Sequence, residues 1–170
     1  VAGEKRRRLG LLATDAKLQG DFDMQTMSPG RKELIVEELE KQFEIVPVNA
    51  DAPITDRYDV LLAVQPSSLS EEQLQNFMAA IRAGQPTAVF EDPFPYLDPQ
   101  VPGTTAPKRP AGGGGMFQQQ APPMPKGNIN ELWSLLGIDF TDAKIVWQNH
   151  NPYPKISQFP PEFVFVDKVA

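Results

Sequence analysis

One stretch of the sequence, residues 58–99, constrains the fold of this chain more than any other. It contains two short apolar runs, residues 59–64 and 87–90, and turn-forming residues close each run. Short continuous apolar runs of this kind are typical of strands that are buried on both faces of a parallel sheet. Two parallel strands need a crossover connection, so the stretch predicts a right-handed βαβ unit.

The residues between the two runs carry the signals of a helix with defined ends. Ser70 and Gln73 have the spacing of a capping box, in which each side chain bonds the backbone amide of the other residue. Gly84 can adopt the left-handed conformation that ends a helix. The apolar residues between these ends recur at the spacing of one helical face: Leu74, Phe77, Met78 and Ile81. The spacing predicts a helix whose apolar face packs against both strands.

Patterns on either side extend this unit to a larger α/β domain. The further predicted elements, in chain order, are a strand at 8–14, a helix from Ser28-Pro29 to Phe43, an edge strand at 44–48, a helix at 129–136, a strand at 143–147 and a strand at 162–166. We expect the two helices to bury, respectively, Leu34, Ile35, Leu39 and Phe43, and Leu132, Leu135 and Leu136. The predicted fold is a flavodoxin-like or Rossmann-like three-layer sandwich, with a mainly parallel sheet of order 2-1-3-4-5 and helices on both faces.

The segment before the third predicted helix differs in composition. Residues 93–127 hold half of the 18 prolines and a run of four glycines at 112–115. Such a segment buries too little apolar surface to offset the entropy cost of ordering it. We therefore interpret residues 1–170 as a single α/β domain with a low-complexity insertion at about 99–126, which we expect to be poorly ordered or held only by local contacts.

Composition excludes several classes of function. The net charge of −6 argues against non-specific nucleic-acid binding, and no cysteine is present to act as a thiolate nucleophile or zinc ligand. No apolar run reaches the roughly 18 residues that a membrane-spanning helix needs. Because the chain begins at Val1 rather than at methionine, we expect it to be a piece of a longer protein.

A set of motifs in fixed order resembles a known family. The motifs are Asp59-Val60-Leu61, Gln65-Pro66, Leu69-Ser70, Gly84 and Asp92-Pro93, followed by the segment NINELWSLLGIDFTDAKIV from residue 128. Together they resemble the GldG-like auxiliary component of gliding-motility-type ABC transport systems. The chain departs from the family pattern at Gly84-Gln85, where a double glycine is usual.

The resemblance implies a location and a set of partners. It implies an extracytoplasmic domain on the periplasmic face of the inner membrane, anchored by membrane helices outside this piece. The implied partners are ABC permease subunits or other envelope proteins. The family brings no established catalytic residues and no cofactor, so the resemblance favours a non-catalytic domain that recognises a partner or ligand.

The topology of the predicted sheet selects a candidate binding site. In open α/β sheets, ligands bind beyond the carboxyl ends of the strands, near the point where the strand order reverses. The polar residues that follow strands one, three and four are Asp15, Gln65, Ser67, Glu91 and Asp92. We expect these residues to line any binding cleft.

Three alternatives remain open from the sequence. The module could bind a small molecule such as a carbohydrate in the same cleft. It could be a serine hydrolase that uses Ser67 or Ser68 with His150, although the sequence around these serines lacks the small flanking residues of a nucleophile elbow. Asp15, Glu91 and Asp92 could hold a divalent cation. We favour the simpler interpretation that Asp92 initiates the turn at Pro93 and Asp15 begins a loop, and we predict no metal site.

Overall fold

The computed structural model describes residues 6–20, 22–23, 28–30, 32–96, 98, 101–108 and 124–139. All of these residues belong to one compact unit, Val1–Asp139. The predicted strands at 143–147 and 162–166 lie outside the described residues, as does His150.

The described fold is mixed α/β with a four-stranded parallel sheet. The strands are β1 (Arg7–Leu12), β2 (Phe22–Asp23), β3 (Ser28–Pro29), β4 (Phe43–Val48), β5 (Val60–Val64) and β6 (Thr87–Phe90). The sheet has the order β4-β1-β5-β6, and all of its strand pairs are parallel. Counted along the chain, its four strands have the order 2-1-3-4, which confirms the predicted order of the first four strands. As its proline predicts, β4 lies at an edge of the described sheet.

The helices are α1 (Leu34–Glu40), α2 (Glu71–Arg82) and α3 (Ile129–Leu136), with one turn of 3₁₀ helix at Pro66–Ser68. The capping box of α2 forms as predicted. The Ser70 hydroxyl accepts from the Gln73 amide at 3.3 Å, and the Gln73 side-chain oxygen accepts from the Ser70 amide at 2.9 Å. Gly84 follows the helix with a φ of 80°, in the left-handed region that the sequence predicts for it.

The helix α1 begins later than predicted and presents a different face. Ser28–Pro29 is strand β3, which pairs with β2, and the helix starts only at Leu34. Gly30 follows the proline and is a poor residue for a first helical turn, which accounts for the delay. Val36 is fully buried, whereas Leu34 and Ile35 are exposed. The prediction that these two residues are buried is therefore wrong, because Val36 and Leu39 form the inward row of the helix at i and i+3. The helix also ends earlier than predicted, at Glu40, and Phe43 is the first residue of β4, where it packs against the same cluster.

The helix α3 also differs in its buried face. Leu132 is buried as predicted, but its buried neighbours are Ile129 and Trp133, and Leu136 is exposed. Spacing i, i+3, i+4 from Ile129 gives this face. Leu135 is partly buried and packs against the same cluster, so the prediction for α3 is wrong only for Leu136.

The sheet separates two apolar clusters. Leu61 and Ala63 of β5 join the cluster that contains Phe77 and Leu132 of the helices α2 and α3. Leu62, between them in sequence, joins the other cluster, which contains Val36 of α1. Successive residues of a strand point to opposite faces, so β5 is buried on both faces, as its continuous apolar run predicts.

Candidate binding site at the carboxyl edge of the sheet

The carboxyl ends of β1, β5 and β6 meet at one edge because these strands are parallel neighbours. The chain passes from β1 to β4 on one side and returns to β5 on the other, so the strand order reverses between β1 and β5. Thr14 joins the two strand ends, since its hydroxyl donates to the Val64 carbonyl at 2.6 Å. This edge is the switch point at which ligands bind in open α/β folds.

Gln65 is the central polar residue of this edge. It lies directly after β5 in the left-handed conformation, with a φ of 57°, and only 2% of its surface is exposed. Its amide nitrogen lies 3.1 Å from a Glu91 carboxylate oxygen and 2.8 Å from the Asp92 carbonyl, and its oxygen accepts from the Asp92 amide at 3.0 Å. These contacts tie the loop after β5 to the loop after β6.

Glu91 links three elements through its carboxylate. One oxygen accepts from the Ser67 amide at 3.2 Å. The other accepts from the Thr104 hydroxyl at 2.5 Å as well as from Gln65. The Ser67 hydroxyl itself is buried and has no hydrogen-bond partner among the described residues.

Residues 101–108, which we call the cap segment, cover this edge. The Pro102 carbonyl accepts from the Gln65 amide at 3.0 Å. The Lys108 ammonium lies 3.0 Å from an Asp15 carboxylate oxygen and donates to the Ser68 carbonyl at 3.1 Å. The expectation that the insertion has only local contacts therefore fails for the cap segment, which is held by residues far away in sequence.

A second lysine fixes the turn within the cap segment. The Lys126 ammonium donates to three backbone carbonyls, at 3.0 Å to Gly103, 3.0 Å to Thr104 and 2.9 Å to Ala106. Burial lowers the pKa of Lys126, and the positive charge of Lys108 lowers it further, while the carboxylates of Glu91 and Asp15 act in the opposite direction.

Gly127, the residue after Lys126, is fixed in position by contacts with the residues around the start of α2. The Gly127 amide donates to the Leu69 carbonyl at 2.9 Å, just before α2. A Cβ atom at Gly127 would lie 2.8 Å from the Leu74 side chain, so only glycine fits here without a shift. The backbone beside Lys126 is therefore anchored to the described residues outside the cap segment, which we call the frame, while its ammonium bonds the cap segment.

The structure brings the five predicted site residues to one edge, with different roles. Gln65, Ser67 and Glu91 are joined directly by hydrogen bonds. Asp92 takes part through its backbone, and its carboxylate accepts from the Phe94 amide at 2.9 Å, which is the turn-forming role that we weighed against metal binding. Asp15 is connected through Ser68, whose hydroxyl accepts from the Asp15 amide at 3.0 Å.

Sequence reasoning missed Thr104, Lys108 and Lys126 because they lie in a segment whose composition is typical of a linker. One signal could have found the two lysines. The predicted edge carries three carboxylates, Asp15, Glu91 and Asp92, and the insertion that follows β6 carries isolated lysines of the opposite charge.

The two serines of this edge differ in their hydrogen bonding, since only the Ser68 hydroxyl has a partner among the described residues. The Ser68 hydroxyl donates to the Gln65 carbonyl at 2.9 Å, and no imidazole lies among the described residues to activate Ser67 or Ser68. In the same part of the chain, no three side chains of His, Cys, Asp or Glu gather as a metal site would require. Within the described ranges, no helix has the length and apolar character to cross a membrane.

Comparison with known proteins gives one family. The family model described as ABC-type uncharacterized transport system matches residues 6–169, which is nearly the whole chain. No curated protein and no solved structure gave a significant match.

Proposed function

The chain belongs to the ABC-type uncharacterized transport system family, and we propose that it is a non-catalytic, extracytoplasmic auxiliary domain that recognises a partner of the transporter. In this proposal its partners are permease subunits or other envelope proteins, and membrane helices outside residues 1–170 anchor it at the periplasmic face of the inner membrane. The resemblance to the GldG-like component of gliding-motility-type systems supports this more specific assignment.

One observation carries the proposal. The polar residues at the switch point converge as a binding site would, and the side chains of Gln65, Glu91 and Asp15 are engaged in contacts with neighbouring loops. Glu91 accepts from the Ser67 amide and the Thr104 hydroxyl, and Asp15 pairs with Lys108.

An exposed aromatic group beside this edge supports a protein partner. Phe90, Phe94 and Tyr96 are 61%, 69% and 81% exposed, and the rings of Phe94 and Tyr96 lie 6.5 Å apart in a stacked arrangement. Contiguous exposed aromatic side chains are typical of surfaces that bind other proteins. Phe90 is the last residue of β6, and Phe94 and Tyr96 come shortly after it, so a partner that touches them also reaches the loop of Glu91 and Asp92.

We further propose that residues 143–147 complete the sheet as a fifth strand beside β6, giving the flavodoxin-like order 2-1-3-4-5. Support comes from β6 itself, whose residues Thr87, Ala88 and Val89 are only half-buried in the described sheet. Amide hydrogen exchange of the β6 strand tests this: replacing Ile145 with proline should speed exchange in β6 and leave β4 unchanged.

In-cell photo-crosslinking tests the proposed partner. A photoreactive phenylalanine analogue at Tyr96 should crosslink to a permease subunit encoded with this protein, whereas the same analogue at Lys41, an exposed position at the opposite edge of the sheet, should not. Equal crosslinking at both positions, or none to any transporter component at Tyr96, would refute the partner assignment.

Cysteine labelling tests the proposed location. The chain has no cysteine, so Glu72→Cys introduces a single thiol at an exposed position of α2. A membrane-impermeant maleimide should label it in cells whose outer membrane alone has been permeabilised. Labelling only after complete lysis would place the domain on the cytoplasmic side.

A further inference from the structure

We propose that the switch-point edge is a peptide-recognition site that the cap segment occupies in cis. In this proposal the site takes a segment of another protein that presents a backbone carbonyl, a hydroxyl side chain and, four residues after the hydroxyl, a lysine ammonium. The inference deepens the proposed function, because it names the chemistry by which the auxiliary domain would recognise its partner.

The cap segment contacts the edge as a bound peptide would, through polar groups of a few residues spread along its length. Pro102 offers its carbonyl to Gln65, Thr104 donates its hydroxyl to Glu91, and Lys108 places its ammonium between Asp15 and the Ser68 carbonyl. The lysine ammonium lies where the strand order reverses between β1 and β5.

The groups that receive the cap segment also have partners in the frame, independent of the segment. Asp15 is positioned by the bond from its amide to the Ser68 hydroxyl, and Glu91 by the bond from the Ser67 amide. Gln65 is fixed through both polar atoms of its side chain by contacts with Asp92. The site therefore keeps its shape when the cap segment leaves, which is the property that makes a surface able to exchange occupants.

An unpartnered polar atom within the site supports this interpretation. The Ser67 hydroxyl is 1% exposed and lacks a hydrogen-bond partner among the described residues, although its neighbours Gln65, Ser68 and Glu91 are all bonded. A buried hydroxyl without a partner costs stability, so its presence at this edge is the mark of a site that the cap segment satisfies incompletely.

The recognised ligand is a peptide rather than a small amine, because the frame also binds backbone. Lys126 donates to the carbonyls of Gly103, Thr104 and Ala106, and Gln65 donates to that of Pro102. A free amine would satisfy only Asp15 and the Ser68 carbonyl. The cap segment is tethered, so its effective concentration is of the order of millimolar, and a partner segment must exceed that value to displace it.

The experiment uses the whole chain and a synthetic peptide. The peptide has the sequence of residues 101–108, VPGTTAPK, with both termini blocked. The protein carries Thr104→Val and Lys108→Met, which remove the hydroxyl and the ammonium of the cap segment and leave the frame intact. The variant Lys108→Met alone serves as a milder form, and circular dichroism establishes that each variant is folded.

Binding is followed by NMR shifts of the Asp15, Ser67 and Ser68 amides. The opened variant should bind the peptide at least about tenfold more tightly than the unchanged chain does, because the tethered competitor is weakened. A peptide carrying Lys108→Met should bind the opened variant about tenfold more weakly, as expected when one charge-assisted hydrogen bond is lost. Adding Asp15→Asn to the opened variant should weaken binding by a similar factor.

Three results would overturn the inference. They are an absence of peptide binding by both folded variants at millimolar peptide, binding that Asp15→Asn leaves unchanged, and binding of n-butylamine as tight as that of the peptide. Crosslinking from Tyr96 is measured separately. If it reaches a permease subunit while the peptide fails to bind, the peptide site is refuted and the proposed function stands; the reverse pattern refutes only the transporter partner.

Discussion

The Lys108 ammonium lies 3.0 Å from an Asp15 carboxylate oxygen, at the point where the order of the strands reverses between β1 and β5. The two side chains are only 19% and 22% exposed, so water screens their interaction less than it screens a surface pair. The same ammonium donates to the Ser68 carbonyl, which follows β5. One lysine of the insertion thus connects the loops after two central strands.

Replacing this lysine should destabilise the domain measurably. We expect Lys108→Met to lower the free energy of unfolding by about 1–2 kcal/mol, between the values for exposed and for fully buried ion pairs. The matched control is Lys41→Met, which breaks the Lys41–Glu38 pair whose side chains are 65% and 64% exposed, and which should cost less than about 0.5 kcal/mol. Urea denaturation of both variants makes the comparison, and equal losses would show that Lys108 is only a surface cation.

Gln65 should matter more for stability than its place in a loop suggests. Gln65→Gly retains the left-handed backbone and removes the amide that bonds Glu91, Asp92 and Pro102. We expect a loss of about 2–3 kcal/mol, because buried partners are left unsatisfied. The control Gln75→Ala removes an amide of α2 whose bonds to Glu71 and Glu131 lie at the surface, and it should cost less than about 0.5 kcal/mol. A Gln65→Gly variant as stable as this control would mean that the edge rearranges without it.

How much of the structure the sequence predicts depends on whether the signal is local. The helix α2 is predicted in full because Ser70, Gln73 and Gly84 act within one or two turns of themselves. The parallel order of the four strands follows from continuous apolar runs and crossover lengths. The face of α1 is not predicted, because Leu34 and Ile35 are as apolar as Val36 and only tertiary packing selects among them.

The candidate site also has a part that the sequence predicts and a part that it does not. Asp15, Gln65 and Glu91 could be assigned to one edge from topology alone, because parallel strands bring their carboxyl ends together. The cap segment could not, since three of its eight residues at 101–108 are proline or glycine and a linker has the same composition. Its position depends on single long-range bonds from Thr104 and Lys108, which leave no periodic trace in the sequence.

The stability of the domain should depend on the buried Phe77 side chain of α2 far more than on the N-terminal cap of that helix. Phe77 is fully buried in the cluster between β5 and the helices, so Phe77→Ala should cost about 3–5 kcal/mol. Ser70→Ala removes one capping bond and should cost about 0.5–2 kcal/mol. Thermal and urea unfolding measure both, and a smaller loss for Phe77 than for Ser70 would be incompatible with the packing described.

The two halves of the insertion should tolerate deletion differently. The Met124 amide donates to the Lys108 carbonyl at 3.1 Å, so the two residues that flank positions 109–123 lie side by side. Replacing residues 109–123 with Gly-Gly shortens this loop. The free energy of unfolding should change by no more than about 0.6 kcal/mol for each halving of the loop length. Removing residues 101–108 as well should cost several times more, because the contacts with Gln65, Glu91 and Asp15 are lost; equal stability of the two deletions would contradict the anchoring role of the cap segment.

The titration of Lys126 tests whether its ammonium is buried as the structure describes. Burial holds the pKa of Lys126 below the ordinary 10.5, and the neighbouring Lys108 charge lowers that pKa further. The folded chain therefore releases this proton at a lower pH than the unfolded chain does, so the contribution of Lys126 to stability rises with pH between the folded pKa and 10.5. Lys108→Met should raise the pKa of Lys126, whereas Glu91→Gln should lower it, because it removes a negative charge that favours the protonated form.

An NMR titration of the lysine side chains, with the urea-unfolded chain as reference, measures these shifts. Assignment of the Lys126 resonance comes from its loss in Lys126→Met. The two charge variants should move the titration midpoint in opposite directions, which a general change in solvent exposure would not do. A Lys126 midpoint at or above that of the unfolded chain would show that its ammonium is not buried against the carbonyls of Gly103, Thr104 and Ala106.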